Sequence, residues 1–453
     1  MISSYLPFPL HSGGHVRLYN LIRELSGRHE ITLICEKRPH QSDSDIKEVE
    51  KICEKVITVE RRKQWSLKNI LKSGVSRHSF LINGHTHEEM QQKIKEELEK
   101  NEFDLIHVET FYILQNLPLH VIARSSAMQN DEAISTKIQF EQGIAALPTV
   151  ARNDKIPVVL VEHNIEYLVY KRFVDNVPVA LRPLLFLDVA KIKREEESAW
   201  KKATSLVAVS EDDKKVMNDA GLQANIVPNG VNINQFLLKD LKKEFAKKEK
   251  KVLFIGDFKW IQNKDAVKFI IEDVWPEIKR LSLRHSGEER SDDSRIRSKR
   301  DSGQARMTDE RIKLWVVGRS IPDSIRNLSK DPDIVFDEKS SYLPTEEIFQ
   351  HASMLLAPIR VGGGTSYKIL ESMACGTPVV TMQLSADAIH AKDDQEILVG
   401  QDAEELASKT TQLLQKKEVY ERIARNGRAL IEKNYSWKEI SKKLERVYEE
   451  AIK

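Results

Sequence analysis

Between Arg360 and Val380 the sequence reads RVGGGTSYKILESMACGTPVV. Gly362, Gly363 and Gly364 free the backbone to bring its amides against a ligand. Thr365 and Ser366 follow, and the residues from Tyr367 to Cys375 carry a helical pattern. The N–H groups and positive dipole end of a helix that starts there form a ready site for phosphate. Arg360 and Lys368 add cationic donors. Glu371 comes seven residues after Gly364, one to two turns into the helix, where a carboxylate accepts hydrogen bonds from sugar hydroxyls. The stretch lacks the Gly-Lys-Ser/Thr ending of a Walker A loop, and Tyr367 stands where the third glycine of GxGxxG would be. On chemistry alone two readings stand: a loop binding phosphate and sugar, or a glycine-rich connector followed by a surface glutamate.

The elements around the stretch favour the first. It follows the apolar run SMLLAPI, and open α/β sheets bind ligands at the carboxyl ends of their strands. Upstream, HVRLYNLIREL has helical spacing and HEITLIC reads as a strand; helix and strand then alternate through EVEKICEKVITVE and HEEMQQKIKEELEKNEFDLIHVE. IPVVLVEHN and TSLVAVS are short apolar runs of the kind buried in parallel sheets. The pattern breaks at the Pro-Asn-Gly turn of NIVPNGVNINQF and restarts at KVLFIGDF. An α/β architecture of two Rossmann-like domains follows. The expected boundaries are 1–230 for the first domain, 231–249 for a linker and 250–435 for the second. SWKE at Ser436–Glu439 is a capping box opening an amphipathic helix over 436–453, with Ile440, Leu444, Val447 and Tyr448 on the face that packs back on the first domain. Segments of about 119–154 and 284–311 exceed the usual helix–strand connection and read as mobile, solvated insertions. The first strand is expected to be truncated or lost, since only Ile2 precedes the loop at MISSYLPF.

Composition narrows the function. With 71 Lys+Arg against 69 Asp+Glu, the net charge of +2 points away from nucleic acid. Three cysteines without metal spacing suit a reducing cytoplasm. No apolar run nears the roughly 20 residues that span a bilayer, and the start lacks a basic leader region. Asp43-Ser44-Asp45 and Asp331-Pro332-Asp333 match the D-x-D metal pattern in letters only and read as solvated loop acids, so no metal is expected.

The ordered set of motifs resembles glycosyltransferase family 4, the retaining enzymes of GT-B fold. GGGTSYKILESMACGTPVV resembles the donor-site signature, and PFPLHSGGHVRLYNLIRELSGRHEITLI the glycine-rich loop and first helix. VEHNIEY resembles the central histidine segment, IVPNGVNINQF the interdomain linker, and VLFIGDFKWIQNKDAVKFI the opening of the donor domain. The resemblance covers most of the chain and implies two Rossmann-like domains facing across a cleft. It implies a nucleotide-sugar donor (UDP-, GDP- or ADP-sugar) on the C-terminal half and a glycan or lipid-linked acceptor on the N-terminal half. No other cofactor is implied, and the setting is the cytoplasm or the inner face of the membrane, with peripheral membrane contact. Glu371 matches the second glutamate of the family's E-x7-E motif, which holds the ribose. The first falls at Gly363 and is absent, as in the branch with a Gly-Gly-Gly-Thr form, where Gly362, Gly363, Gly364 and Thr365 meet the donor. Lys264 and Lys259 fall near the family's diphosphate-binding positions, although the usual Gly-Arg pair reads Gly256-Asp257. Arg360, Lys368 and Lys264 are therefore the expected diphosphate ligands. Gly13 and Gly14 match the loop that approaches the donor phosphates, and His163 the histidine facing the sugar, the catalytic candidate. Two alternatives remain beside the transferase: a nucleotide-sugar 2-epimerase, and a degraded transferase acting as a binding protein. A phosphorylase would need a pyridoxal-phosphate lysine site that the sequence does not offer.

Overall fold

A computed structural model of the chain describes residues 1–61, 73–74, 76–118, 121, 156–175, 177–179, 182–282, 311–360 and 365–453. The chain divides into two compact units, Met1–Pro228 with Trp437–Lys453, and Asn229–Ser436. Most of both expected insertions, and Gly362, Gly363 and Gly364, lie outside the described residues.

The first unit holds a seven-stranded parallel sheet. Its strands are β1 (Ile2–Ser3), β2 (Thr32–Lys37), β3 (Lys55–Glu60), β4 (Ile106–Glu109), β5 (Val158–Glu162), β6 (Ser205–Ala208) and β7 (Ala224–Ile226). They lie in the order β3-β2-β1-β4-β5-β6-β7. β1 has two residues, fewer than either neighbour, yet it sits between β2 and β4 and pairs with both. VVLVE of β5 is buried throughout, which is why it reads as an apolar run rather than an alternation. Val158, Leu160, Leu206, Ile106 and Val108 pack with Trp200 and Ile192 into one core.

Helix α1 (Gly13–Leu25) buries Leu18, Leu21, Ile22 and Leu25. Arg17 is buried with them, and its guanidinium donates to the carbonyls of Val227 (2.8 Å) and Pro228 (2.7 Å). A helical residue with a long polar arm thus satisfies carbonyls that would otherwise be orphaned. The chain's last helix, Trp437–Ile452, belongs to this unit. It buries Ile440, Leu444, Val447 and Tyr448, and its Glu445 takes two bonds from Arg28, at 2.7 and 2.9 Å.

The second unit holds a six-stranded parallel sheet. It comprises β8 (Glu249–Ile255), β9 (Arg311–Val317), β10 (Ile334–Asp337), β11 (Met354–Ala357), β12 (Val379–Thr381) and β13 (Leu398–Val399), ordered β10-β9-β8-β11-β12-β13. Each unit's order reverses direction once around its first strand, the Rossmann-like arrangement that opens a crevice at the carboxyl ends of the strands. Val252, Phe254, Leu314, Val316, Met354, Leu356 and Val380 form its core. Residues 231–249, expected as a linker, fall within this second unit.

The D-x-D letters are not idle loop acids. Asp43 and Asp45 open the helix Asp43–Glu50, where the Asp45 carboxylate accepts the Ser42 N–H at 2.7 Å. Asp331 accepts the Trp275 indole N–H at 2.9 Å, and Asp333 pairs with Lys279.

Candidate active site

In the second unit the expected site residues lie on two helices beyond the carboxyl ends of β8 and β11 and on the segment before the second helix. Helix α2 (Ile261–Phe269) follows β8 and helix α3 (Tyr367–Ala374) follows β11. Lys368 lies in the first turn of α3, half-buried, and its Nζ donates to Asn263 Oδ1 at 2.7 Å. The ammonium also stands 4.5 Å over the ring of Phe254. Burial pushes its pKa down to about 7, so at neutral pH Lys368 is a poised cation rather than the permanent one expected. Arg360 departs further from expectation. Its guanidinium forks onto Asp265 of α2 at 2.6 and 3.0 Å and lies over Phe269 at 4.3 Å. The Asp265 carboxylate neutralises it. Lys264, between Asn263 and Asp265 in α2, is exposed. Thr365 is buried, and its carbonyl accepts from Asn229 Nδ2 at 3.3 Å.

Glu371 sits one turn beyond Lys368 on α3, half-buried. Burial raises its carboxyl to about 8, a hydrogen bond from Thr345 opposes that rise, and nearby Glu346 adds to it. The group expected as a charged acceptor is mostly a neutral acid at pH 7. The cause is its sheltered position beneath the helix Thr345–His351, which the spacing alone does not reveal.

In the first unit His163 follows β5 directly. Its Nε2 is hydrogen-bonded to Glu109, at the end of neighbouring β4, and lies 3.4 Å from the Tyr5 hydroxyl. Glu109 is wholly buried and also accepts from His107 at 2.7 Å, whose other nitrogen meets the Tyr448 hydroxyl at 2.6 Å. Burial alone would raise the Glu109 carboxyl; His163 and His107 outweigh it and hold the group well below the usual carboxylate range. The residue after it, Thr110, has φ 75°, a left-handed backbone rare for a β-branched residue and typical of functional strand ends. Gly13 and Gly14 are not a free loop but the first turn of α1. A Cβ on Gly14 would come within 3.1 Å of Tyr5 Oη, so the glycine makes room for the tyrosine that reaches His163. Tyr5 also packs on His15 at 4.9 Å between ring centroids.

Sequence reading missed Glu109, Tyr5, Asn263 and Asp265. The one available signal for Glu109 was an acid closing the apolar run DLIHVE; Glu162 likewise ends β5 as a buried glutamate, and Glu36 is buried one residue before the end of β2. A cavity of about 800 Å³, lined by Arg28, Lys55, Asn101, Asp104 and Tyr448, opens at the opposite edge of the same sheet and shares no residue with the expected site. Among the described residues no group of three or more His, Cys, Asp or Glu could hold a metal ion, and no helix is long and apolar enough to cross a membrane.

Residues 249–416 match the family model described as Glycosyl transferases group 1. The chain therefore carries a glycosyltransferase domain and is an enzyme of that class. No curated protein sequence matches it. Among solved structures it is similar to sucrose-phosphate synthase from Thermosynechococcus elongatus, with 13% identity, 99% and 98% of the two chains covered and a TM-score of 0.60. It is also similar to HepE from Anabaena, solved in complex with UDP and glucose, with 13% identity, 99% of each chain covered and a TM-score of 0.56. WaaG, a glycosyltransferase involved in lipopolysaccharide biosynthesis, shares 11% identity over 99% of each chain with a TM-score of 0.57. At these identities the likeness is one of fold, the GT-B fold of two Rossmann-like domains.

Proposed function

We propose that this enzyme is a retaining glycosyltransferase of family 4 type, moving a hexose from a nucleotide-sugar donor to a glycan or lipid-linked acceptor. The observation that carries the reading is the pairing of Lys368 and Glu371 on successive turns of α3, at the carboxyl end of β11. A cation for diphosphate and a carboxyl for ribose at one helix start suit a nucleoside diphosphate. Residues 250–435 bind the donor through Lys264, Arg360, Gly362, Gly363, Gly364, Thr365, Lys368 and Glu371, and residues 1–230 bind the acceptor. HepE holds UDP and glucose in its solved complex, which puts UDP first among UDP, GDP and ADP.

In the reaction the bond between the sugar's anomeric carbon and the diphosphate oxygen breaks as an acceptor hydroxyl bonds that carbon. The hydroxyl proton passes to the departing diphosphate, so no protein base is required. His163 serves the reacting sugar, held in place by Glu109. Positioning and stabilisation of the leaving diphosphate supply most of the rate. With Lys368, Lys264 and a helix start to meet that charge, turnover needs no divalent metal and persists in EDTA. The enzyme works in the cytoplasm, at the inner face of the membrane where a lipid-linked acceptor would lie.

Calorimetric titration of UDP, GDP and ADP, followed by turnover with and without acceptor glycans, tests the reading. One nucleotide should bind well above the others, and nucleotide release should require acceptor. Release of free nucleotide from the donor with epimerised sugar would assign a 2-epimerase instead. Failure of every nucleotide to bind would leave only a binding protein.

A further inference from the structure

Along the carboxyl edge of the first unit's sheet, the residues that follow the strands form a row. Arg61 follows β3, Arg38 follows β2, Tyr5 follows β1, Glu109 ends β4 and His163 follows β5. β2 and β3 are in register with Lys37 opposite Glu60, and the Arg61 N–H donates to the Lys37 carbonyl at 2.8 Å. Two arginines thus stand side by side on strands about 4.8 Å apart. The turn that carries Arg38 is braced on both sides. Its N–H donates to Gln41 Oε1 at 2.9 Å, and Gln41 Nε2 donates to the carbonyls of Leu6 (3.1 Å) and Phe8 (2.7 Å). That bracing ties the Arg38 turn to the segment bearing Tyr5.

The local charges do not cancel. Glu36, the buried acid between them, is already shared by Arg61 at 3.6 Å, His85 at 2.9 Å and His87 at 2.8 Å. Lys37 pairs with Glu60 at 3.3 Å. Arg38 is half-buried, and its guanidinium has no hydrogen bond or ion pair among the described residues. Burial and then Arg61 depress its pKa. His15 is pushed down to about 4, by burial first and then by Arg38, His11, Arg61 and His40. His15 thus feels the charge of four other basic side chains near this edge. A sheltered guanidinium beside a second one is costly unless an anion completes it. The Tyr112 ring packs tilted on His85 at 4.5 Å, and Tyr112 feels both Arg61 and the half-buried Glu166. Burial raises Glu166 to about 7, which lessens its repulsion of an anion.

We propose that Arg38 and Arg61 form an anion subsite for the acceptor, so that this enzyme glycosylates an acceptor bearing a phosphate, diphosphate or carboxylate group. The proposal rests on the reading of the first unit as the acceptor side. By strand spacing, Arg38 lies three strands from His163, roughly 14 Å along the edge. The anionic group is therefore held away from the hydroxyl that reacts and fixes which hydroxyl is presented.

The test uses the full chain saturated with UDP, so that donor-side cations are occupied, and titrates inorganic phosphate by calorimetry. Phosphate should still bind, Arg38→Ala should weaken it at least tenfold, and Arg38→Lys should recover part of the loss. UDP affinity and melting temperature should not change in either variant. Glucose 6-phosphate, an alkyl diphosphate and glucuronate, titrated in the same way, distinguish monoester, diphosphate and carboxylate sources. No phosphate binding beyond UDP, or binding indifferent to Arg38→Ala, overturns the subsite while UDP binding keeps the donor reading intact. If UDP does not bind, phosphate is titrated alone into the Lys368→Ala variant, where sensitivity to Arg38 decides the subsite without the transferase reading.

Discussion

Lys368 Nζ lies 2.7 Å from Asn263 Oδ1, and the same amide donates from Nδ2 to the Asp257 carbonyl at 2.8 Å. The amide packs where a side chain on Gly256 would be, 2.7 Å from an ideal Cβ at that position. The end of β8, the start of α2 and the start of α3 are thereby one bonded assembly. Where the resemblance led one to expect a Gly-Arg pair the chain has Gly256-Asp257, and the assembly brings the Lys368 ammonium from a different helix to the same strand end.

Protonation of Lys368 should govern nucleotide affinity around neutrality. An arriving diphosphate favours the ammonium, so binding takes up a proton, and affinity falls as pH rises from about 7 toward the bound-state pKa, by at most about tenfold per unit. For stability, the folded value of about 7 lies below the ordinary 10.5. Its contribution is present above 10.5 and lost as pH falls through 7. Calorimetry of UDP in buffers of different ionisation enthalpy, in a Glu371→Gln background, reads the uptake directly. Lys368→Met should abolish it; uptake that survives in Lys368→Met would assign the proton to another group.

Arg360 should matter less than its place in the motif suggests. Its ion pair with Asp265 is 2.6 Å long and partly exposed, and such pairs contribute about 0–1 kcal/mol. With the charge already matched, Arg360→Ala should weaken inorganic pyrophosphate by no more than about threefold. Lys368→Ala should weaken it about ten- to a hundredfold, the roughly 1.5–3 kcal/mol of a charged hydrogen bond. Equal losses in the two variants would show that Asp265 releases Arg360 when ligand arrives.

The sheets and their helices were legible because period and length carry them: VVLVE and MLLA are buried from end to end, and SLVA in all but its first residue, and they read so in the sequence. The letters also locate the regions of His163, Lys368 and Glu371. They do not reveal partners. Asn263 is 105 positions from Lys368, and Glu109 is 54 from His163; only the parallel crossovers bring them together. Nor do letters reveal shelter, which turns Glu371 from a charged acceptor into a raised acid and Lys368 into a titrating base. The partners of Asp45 and Asp331 were hidden for a related reason. Short polar side chains near turns find backbone and indole N–H groups that no pattern of letters records.

Glu109 should act on rate through His163. It is buried without exposure and accepts from two histidines, so its removal to alanine would take the carboxylate partner from both and destabilise the unit. Glutamine keeps shape but loses the charge that orients the imidazole. Glu109→Gln should lower kcat about ten- to a hundredfold with KM for donor within about twofold, and Glu109→Asp should recover little of that loss because the shorter side chain draws the carboxyl back. A change confined to KM would assign Glu109 a purely structural part.

Glu371 is the residue on which nucleoside recognition should turn. In the empty protein its carboxyl titrates near 8, against an ordinary 4.5. A raised folded value means its contribution to stability is complete below 4.5 and lost as pH rises through 8. Hydroxyls of a bound ribose favour the ionised carboxylate, so nucleotide affinity through this group should rise with pH up to about 8, opposite to the Lys368 effect. Glu371→Gln mimics the neutral acid, and its melting temperature should fall less than that of the parent between pH 4.5 and 8. Glu371→Ala should weaken UDP, GDP and ADP about ten- to a hundredfold, the loss of an acceptor to charged-group hydrogen bonds. Inorganic pyrophosphate, which has no ribose, should bind that variant as it binds the parent. Equal loss for pyrophosphate would place Glu371 at the diphosphate, and unchanged nucleotide binding would move the donor site off α3 altogether.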